Sequence, residues 1–263
     1  MSTFERDTSV VDRGDHWATR LHAEWNIGGN PNGGYALSPV LRVLRGLAGH
    51  PDPISVTTQF LRPAAGDADG EVHAEAIRVG RTTGVARGWL VQGGKDRLLT
   101  TAVFVDLSEA AGAGPELAPE PVELPPPQEC VDRRDLAQGV ELPILSRVDV
   151  RIEPAHIGAG TADRAVVAGW IRFADGTPPT ALALPLFADA FPPSLYPLLG
   201  SIGWVPTIEL TVHVRRRPAP GWIRARFECD DLHDGRMIES GTLWDSTGAV
   251  VARSRQLGLH LDR

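Results

Sequence analysis

RPAAGDADGEVHAEAIRVGRTTGVARGWLVQG, residues Arg62–Gly93, is followed 155 positions later by RPAPGWIRARFECDDLHDGRMIESGTLWDSTG, residues Arg217–Gly248. Without a gap, the two stretches share Arg-Pro-Ala at the start, Gly66 with Gly221, Gly80-Arg81 with Gly235-Arg236, Trp89 with Trp244, and Gly93 with Gly248. That is eight identities in thirty-two positions, where ordinary residue usage would give about two. Tryptophan and the Gly-Arg and Arg-Pro pairs rarely coincide by chance. The chain is therefore read as a duplication.

Working outward, each copy parses alike. In the first half, Ile54–Arg62, Glu71–Arg78, Thr83–Val91 and Arg97–Val105 read as strands, punctuated by Gly80-Arg81 and Gly93-Gly94. In the second half the runs are Thr207–Arg215, Trp222–Asp230, Met237–Asp245 and Ala249–Leu261. Ile208, Leu210, Val212 and Val214 alternate with polar residues, the period of a half-buried strand. One strand and one helix precede each set. In the first half they are Trp17–Trp25 and about Gly34–Gly49, with Leu37, Val40, Leu41 and Leu44 on one helical face. In the second they are Ala165–Phe173 and Leu186–Gly200, the latter broken or shortened by Pro192, Pro193 and Pro197. Glu109–Glu129 holds six prolines and five glutamates and reads as a linker without a packing pattern. The expected organisation is a first unit over 1–108, a linker over 109–146 and a second unit over 147–263.

Composition sets the outer bounds. The 263 residues are 42% hydrophobic and 22% charged, with a net charge of −7, against the basic surface that nonspecific nucleic-acid binding needs. No apolar run approaches the ~20 residues of a membrane helix, and Met1-Ser-Thr-Phe-Glu-Arg-Asp lacks a signal-peptide pattern. Cys130 and Cys229 build neither a disulfide scaffold nor a four-thiolate zinc site. A reduced, cytoplasmic protein without metal or cofactor is the expectation. Lys95 is the only lysine, which codon bias explains. Asp230-Asp231-Leu232-His233-Asp234 falls at a hairpin turn and reads as that, not as a metal cluster.

The order of Gly33-Gly34, Phe60-Leu61-Arg62-Pro63 and Gly80-Arg81, then Thr207-Ile208-Glu209, Arg217-Pro218 and Ser254-Arg255-Gln256-Leu257-Gly258, resembles the type II (TesB-like) acyl-CoA thioesterases. The resemblance implies an α+β double hot-dog, two units each with an antiparallel sheet around a central helix. It also implies hydrolysis of an acyl-CoA thioester to free CoA and a carboxylic acid. The water-holding residues of that family carry over to Asp189, Thr207 and Gln256. Two departures stand out. Three arginines, Arg215–Arg217, precede Pro218 and blur the register, and no His-x-x-x-His pattern occurs near Leu210 and Val214. Thr211, on the same face by alternation, is the fallback for Thr207.

A carboxylate, a hydroxyl and a carboxamide are the right types to activate and position a water. Asp189 lies in an apolar run, Leu184-Pro-Leu-Phe-Ala-Asp-Ala-Phe191, where an acid is costly unless used or paired. Gln256 shares a strand face with small Ala252 and Ser254. Plain alternatives are a helix cap for Asp189, a satisfied interior glutamine for Gln256 and a strand former for Thr207. Asn32, Gly33 and Gly34 open the first helix, where free amides could bind substrate oxygen or phosphate and glycine lets substrate approach; an ordinary glycine-rich turn is the alternative. Arginines 62, 81, 215, 216, 217 and 236 are equally CoA-phosphate partners or solvated strand ends. The first half has no counterpart acid between Asn26 and Gly49, so one site per chain is expected. A non-catalytic acyl-ligand-binding protein and a hot-dog hydratase or dehydratase are the other readings; the absence of histidine from Ile157 to Glu209 disfavours the last. Pairing into a homodimer or larger assembly through sheet edges is a further expectation.

Overall fold

The computed structural model describes residues 1–108, 115–200, 203 and 205–260. Positions 109–114 of the expected linker and Leu261 of the last expected strand lie outside the described residues. In chain order the first half contains α1 (Thr3–Asp7), β1 (Val11–Asp12), β2 (Trp17–Leu21), the short pair β3 (Asn26–Ile27) and β4 (Asn30–Pro31), α2 (Gly33–Ala36) and α3 (Ser38–Ala48). Then come β5 (Asp52–Phe60), β6 (Ala68–Val79), β7 (Gly84–Gln92) and β8 (Lys95–Val105). The remainder contains β9 (Val131–Asp132), β10 (Val148–Ile152), β11 (Val166–Phe173), α4 (Leu184–Asp189) and α5 (Tyr196–Leu199), then β12 (Thr207–Val214), β13 (Ile223–His233), β14 (Arg236–Trp244) and β15 (Val250–Leu259). Among these helices none is long and apolar enough to cross a membrane.

The duplication is visible in the sheet. Thirteen strands run in the order β1-β2-β6-β7-β8-β5-β12-β15-β14-β13-β11-β10-β9, so the second copy mirrors the first about the β5–β12 seam. Thr57 pairs with Thr211 there, their hydroxyls 3.0 Å apart, and Gln59 Nε2 donates to Glu209 Oε2 at 2.9 Å. Helix α3 packs on β6, β7 and β8, while α4 packs on β12, β14 and β15. This is the double hot-dog arrangement. Leu37 at the start of α3, Val40, Leu41 and Leu44 within it, and Leu186 and Phe187 of α4 are all within 1% of full burial. Each such side chain contributes about 1.5–3 kcal/mol of transfer free energy.

One local reading changes. The expected strand Trp17–Trp25 stops at Leu21 and gives way to a 3₁₀ turn, Ala23–Trp25. The Tyr35 hydroxyl accepts the His22 N–H and Asp67 accepts that of Ala23, which takes the backbone off the ladder and buries Trp25 against Tyr35. The second helix is broken, as its prolines lead one to expect: α4 ends at Asp189, and α5 begins only after Pro192-Pro193.

Residues 115–126 of the proline-rich stretch have no regular hydrogen-bonded structure, as expected, yet they are docked. Trp244 Nε1 donates to the carbonyl of Pro119, Arg224 to that of Val122 and Trp170 Nε1 to that of Pro125. The spacing of three is that of a polyproline helix, whose carbonyls recur every third residue. Trp170, Arg224 and Trp244 are cross-strand neighbours on one sheet face, with the Arg224 guanidinium 4.7 Å above the Trp170 ring. Further along, Cys130, Arg133 and Gln138 are buried, so the segment before β10 belongs to the packed interior.

Candidate active site

The two halves meet where α2 crosses α4. A Cβ on Gly34 would lie 2.5 Å from the Pro185 carbonyl oxygen and 2.6 Å from Leu186 Cα, so the backbones touch there and no side chain fits. A Cβ on Gly33 would meet the Phe60 ring at 2.9 Å and Asp189 Oδ2 at 3.0 Å. The close approach that glycine permits is therefore that of a second helix. This replaces the reading in which Gly34 makes room for substrate.

Asp189 is the last residue of α4, not an early one, because the proline pair ends the helix. Its Oδ2 accepts the Gly34 N–H at 3.0 Å and Asn32 Nδ2 at 2.8 Å. Asn32 Nδ2 also reaches the Asp189 carbonyl at 2.7 Å, while its Oδ1 caps α2 by accepting the Tyr35 N–H at 2.9 Å. Asn32 thus fixes helix start and carboxylate together. The anion at this helix start is the protein's own. Burial pushes the Asp189 carboxyl up to about 6, with Glu239 adding to the rise and the Gly34 and Gly33 amides and Arg133 opposing it.

Thr207 and Gln256 come together on neighbouring strands, with Gln256 Nε2 donating to Thr207 Oγ1 at 2.5 Å. A bulge between Thr207 and Glu209 sets Thr207 opposite Gly258 and Glu209 opposite Leu257. It turns Thr207 onto the face of Leu210 and Gln256. Thr211 keeps the regular alternation and pairs with Thr57 on the opposite face. Alternation had placed the two threonines on one face; the bulge separates them.

Asn32, Gly33, Asp189, Thr207 and Gln256 line one cavity of about 320 Å³; Gly34 reaches it through its bond to Asp189. Its walls are apolar, including Phe60, Ala188, Phe191, Pro192, Tyr196 and Met237, and Arg62 and Arg97 border it. Of the six arginines singled out in the sequence, only Arg62 is among the lining residues.

Arg133, Gln138 and Glu239, three buried polar residues of the cavity, escaped the sequence reading. Arg133 is 1% exposed; its Nε and Nη2 donate to Gln138 Oε1 at 3.1 and 2.9 Å, and Nη1 donates to the Ala190 carbonyl at 2.5 Å. Glu239 on β14 is buried opposite Gln256 and accepts the Ser194 N–H at 2.8 Å, tethering the segment after Pro193. Burial raises its carboxyl as well. Strand alternation could have found Glu239, which shares a face with Met237 and Gly241. Arg133 sits in Val131-Asp-Arg-Arg-Asp135, which looks like any solvated charge run.

The internal symmetry leaves the first half without this chemistry. Tyr35, opposite Asp189 in the duplication, is spent in a stack with Trp25 and a hydrogen bond to the Asp7 carbonyl. Asp52, opposite Thr207, is bound to Arg217 at 2.6 to 3.0 Å.

The fold agrees with the comparisons. Residues 21–105 match the acyl-CoA thioesterase N-terminal domain and residues 121–260 the C-terminal domain. A thioesterase II candidate from Thermobifida fusca superposes with a TM-score of 0.89 at 30% identity, covering 100% of this chain and 98% of that one. A hot-dog protein of unknown function from Alicyclobacillus acidocaldarius gives 0.84 at 21% identity over 100% and 99% of the two chains, a likeness of fold. An uncharacterized protein of Mycobacterium tuberculosis is 28% identical over 91% of this chain and 89% of its own length. With both halves matched in order, and with Asp189, Thr207 and Gln256 facing one cavity, the chain belongs to the acyl-CoA thioesterase family.

Proposed function

We propose that the protein hydrolyses an acyl-CoA thioester to free CoA and a carboxylic acid, using a water activated by Asp189. The observation that carries this reading is the convergence of Asp189, Thr207 and Gln256 on one apolar-walled cavity. Both hydrogen bonds to the Asp189 carboxylate described above land on Oδ2, and Oδ1 is assigned the proton from water. Thr207 accepts from Gln256, so its own hydrogen is free to donate to that water, and Gln256 Oε1 remains as an acceptor. Water oxygen bonds to the thioester carbon as its proton passes to Asp189. The C–S bond then breaks, and the proton passes from Asp189 to the departing sulfur. Asn32, Gly33 and Gly34 serve by holding Asp189 and shaping the wall. The apolar walls suit the acyl group, and Arg62 and Arg97 suit the anionic CoA end.

The hydratase reading wants a histidine beside the acid, and none lines the cavity among the described residues. The test of hydrolysis is an acyl-CoA panel of varied chain length with a thiol reagent. CoA release on at least one member is expected; none on any member overturns the reading.

The pH dependence follows from Asp189. A general base works ionised, and an acid whose folded value is raised ionises later. The rate should therefore fall as pH drops through about 6, where an ordinary aspartate would hold it up to about 4. A kcat profile between pH 4 and 9 checks this; an acid limb near pH 4 contradicts it.

A further inference from the structure

Arg133 is a buried guanidinium without a carboxylate in ion-pair contact among the described residues. Its partners are neutral, the Gln138 side chain and the Ala190 carbonyl. Burying a charge so is expensive, so what it faces matters. It lines the same cavity as Asp189 and grips the carbonyl of the very next residue, where α4 ends. A cation at a helix C-terminus meets the negative end of the helix dipole. Gln138, itself 5% exposed, clamps the other side of the guanidinium and stops it turning toward solvent. The charges that bear on Asp189 are Arg133 from this segment and Glu239 from β14, opposite in sign, with the Gly33 and Gly34 amides of α2 on the positive side.

We propose that Arg133 is a positioning residue for the reaction, fixing the end of α4 through Ala190 and supplying the buried positive charge against which Asp189 is held as a carboxylate. The inference rests on the hydrolase reading for its kinetic consequence, but not for its electrostatic one. Burial brings the guanidinium down to about 9, which still leaves it charged where Asp189 titrates. A segment that looks like a connector thereby completes a site built by the two halves.

Arg133→Gln removes the charge, and Arg133→Lys keeps it while losing the fork to Gln138. For Arg133→Gln the acid limb of kcat should move up by about one pH unit, with activity about fivefold lower at pH 6 and recovering by pH 8. KM should stay within about twofold. For Arg133→Lys the limb should stay in place. Carbon-13 titration of the Asp189 carboxyl in both variants reads the same shift without needing turnover. Coincident titrations of Asp189 in wild type and Arg133→Gln overturn the inference. So does a loss of activity uniform at every pH in both variants, which a purely structural role would give. If Arg133→Gln does not fold, the lysine variant still decides, since a displacement of its Asp189 titration by a full unit would contradict the role of charge. A wild type without thiol release on any acyl-CoA would sink the hydrolase reading alone, and the carboxyl titration would still test Arg133.

Discussion

Replacing Asp189 by asparagine is expected to slow CoA release about a thousandfold while making the protein more stable at neutral pH. The kinetic loss follows from its place as the proposed general base, a carboxylate on the cavity wall with its Oδ2 fixed by Gly34 and Asn32. General-base catalysis by a positioned side chain contributes about 10²–10⁴-fold. Asparagine keeps the shape and still accepts from Gly34 and Asn32, so the geometry should survive. The stability gain is a matter of linkage. Asp189 is an acid with its folded value raised to about 6, so between about pH 4 and 6 the native state holds a proton that the unfolded chain has released. Stability therefore falls as pH rises through that window and stays lower above it. The pull of Arg133 is already contained in that net shift. Two units correspond to about 3 kcal/mol, and because the carboxyl opens onto the cavity, about 1–2 kcal/mol is the gain to expect from asparagine at pH 8. At pH 4 the two proteins should unfold together. Urea titrations at both pH values check this, and an Asp189→Asn protein less stable than wild type at pH 8 would contradict it.

Gly34→Ala should have the largest effect on the fold. The added carbon would sit 2.5 Å from one backbone atom and 2.6 Å from another, and neither can rotate away. Helices α2 and α4 must part, breaking the Gly34 N–H bond to Asp189. Overpacking of a tight interior contact costs about 1–3 kcal/mol and more where backbone is the obstacle, so a loss of about 3 kcal/mol or more is expected. Activity should fall with it even under conditions where the variant stays folded. Gly46 provides the control. It lies within α3 with nothing within 4 Å of an added Cβ, so Gly46→Ala should be neutral or gain up to about 1 kcal/mol. Thermal melts of the two variants beside wild type give the comparison. Equal melting temperatures for both would refute the close-contact account.

Much of this molecule can be read from its residues. The repeated Arg-Pro, Gly-Arg and Trp positions locate four strands in each half, and those strands form the mirrored sheet. Asp189, carried over from the family resemblance and set in an apolar run where an acid must be used or paired, lines the cavity. What stayed hidden depends on contacts between residues far apart in sequence. Glycine looks the same whether a ligand or a helix comes close, so Gly34 was assigned to substrate and proves to admit α4. Thr207 and Thr211 look equivalent until a bulge turns one of them. The carbonyls of Pro119, Val122 and Pro125 carry no side-chain signal, and only their bonds to Trp244, Arg224 and Trp170 reveal where that stretch docks. Arg133 is masked by its charged neighbours.

The central claim is that Asp189 acts on water and does not itself attack the thioester. Single-turnover hydrolysis in ¹⁸O-water with enzyme in excess, followed by mass analysis of the product acid and of the peptide containing Asp189, distinguishes the two. The label is expected in the product acid on the first turnover, with an Asp189 peptide of unchanged mass. Label in the Asp189 carboxyl would mean an anhydride had formed there, and would contradict it.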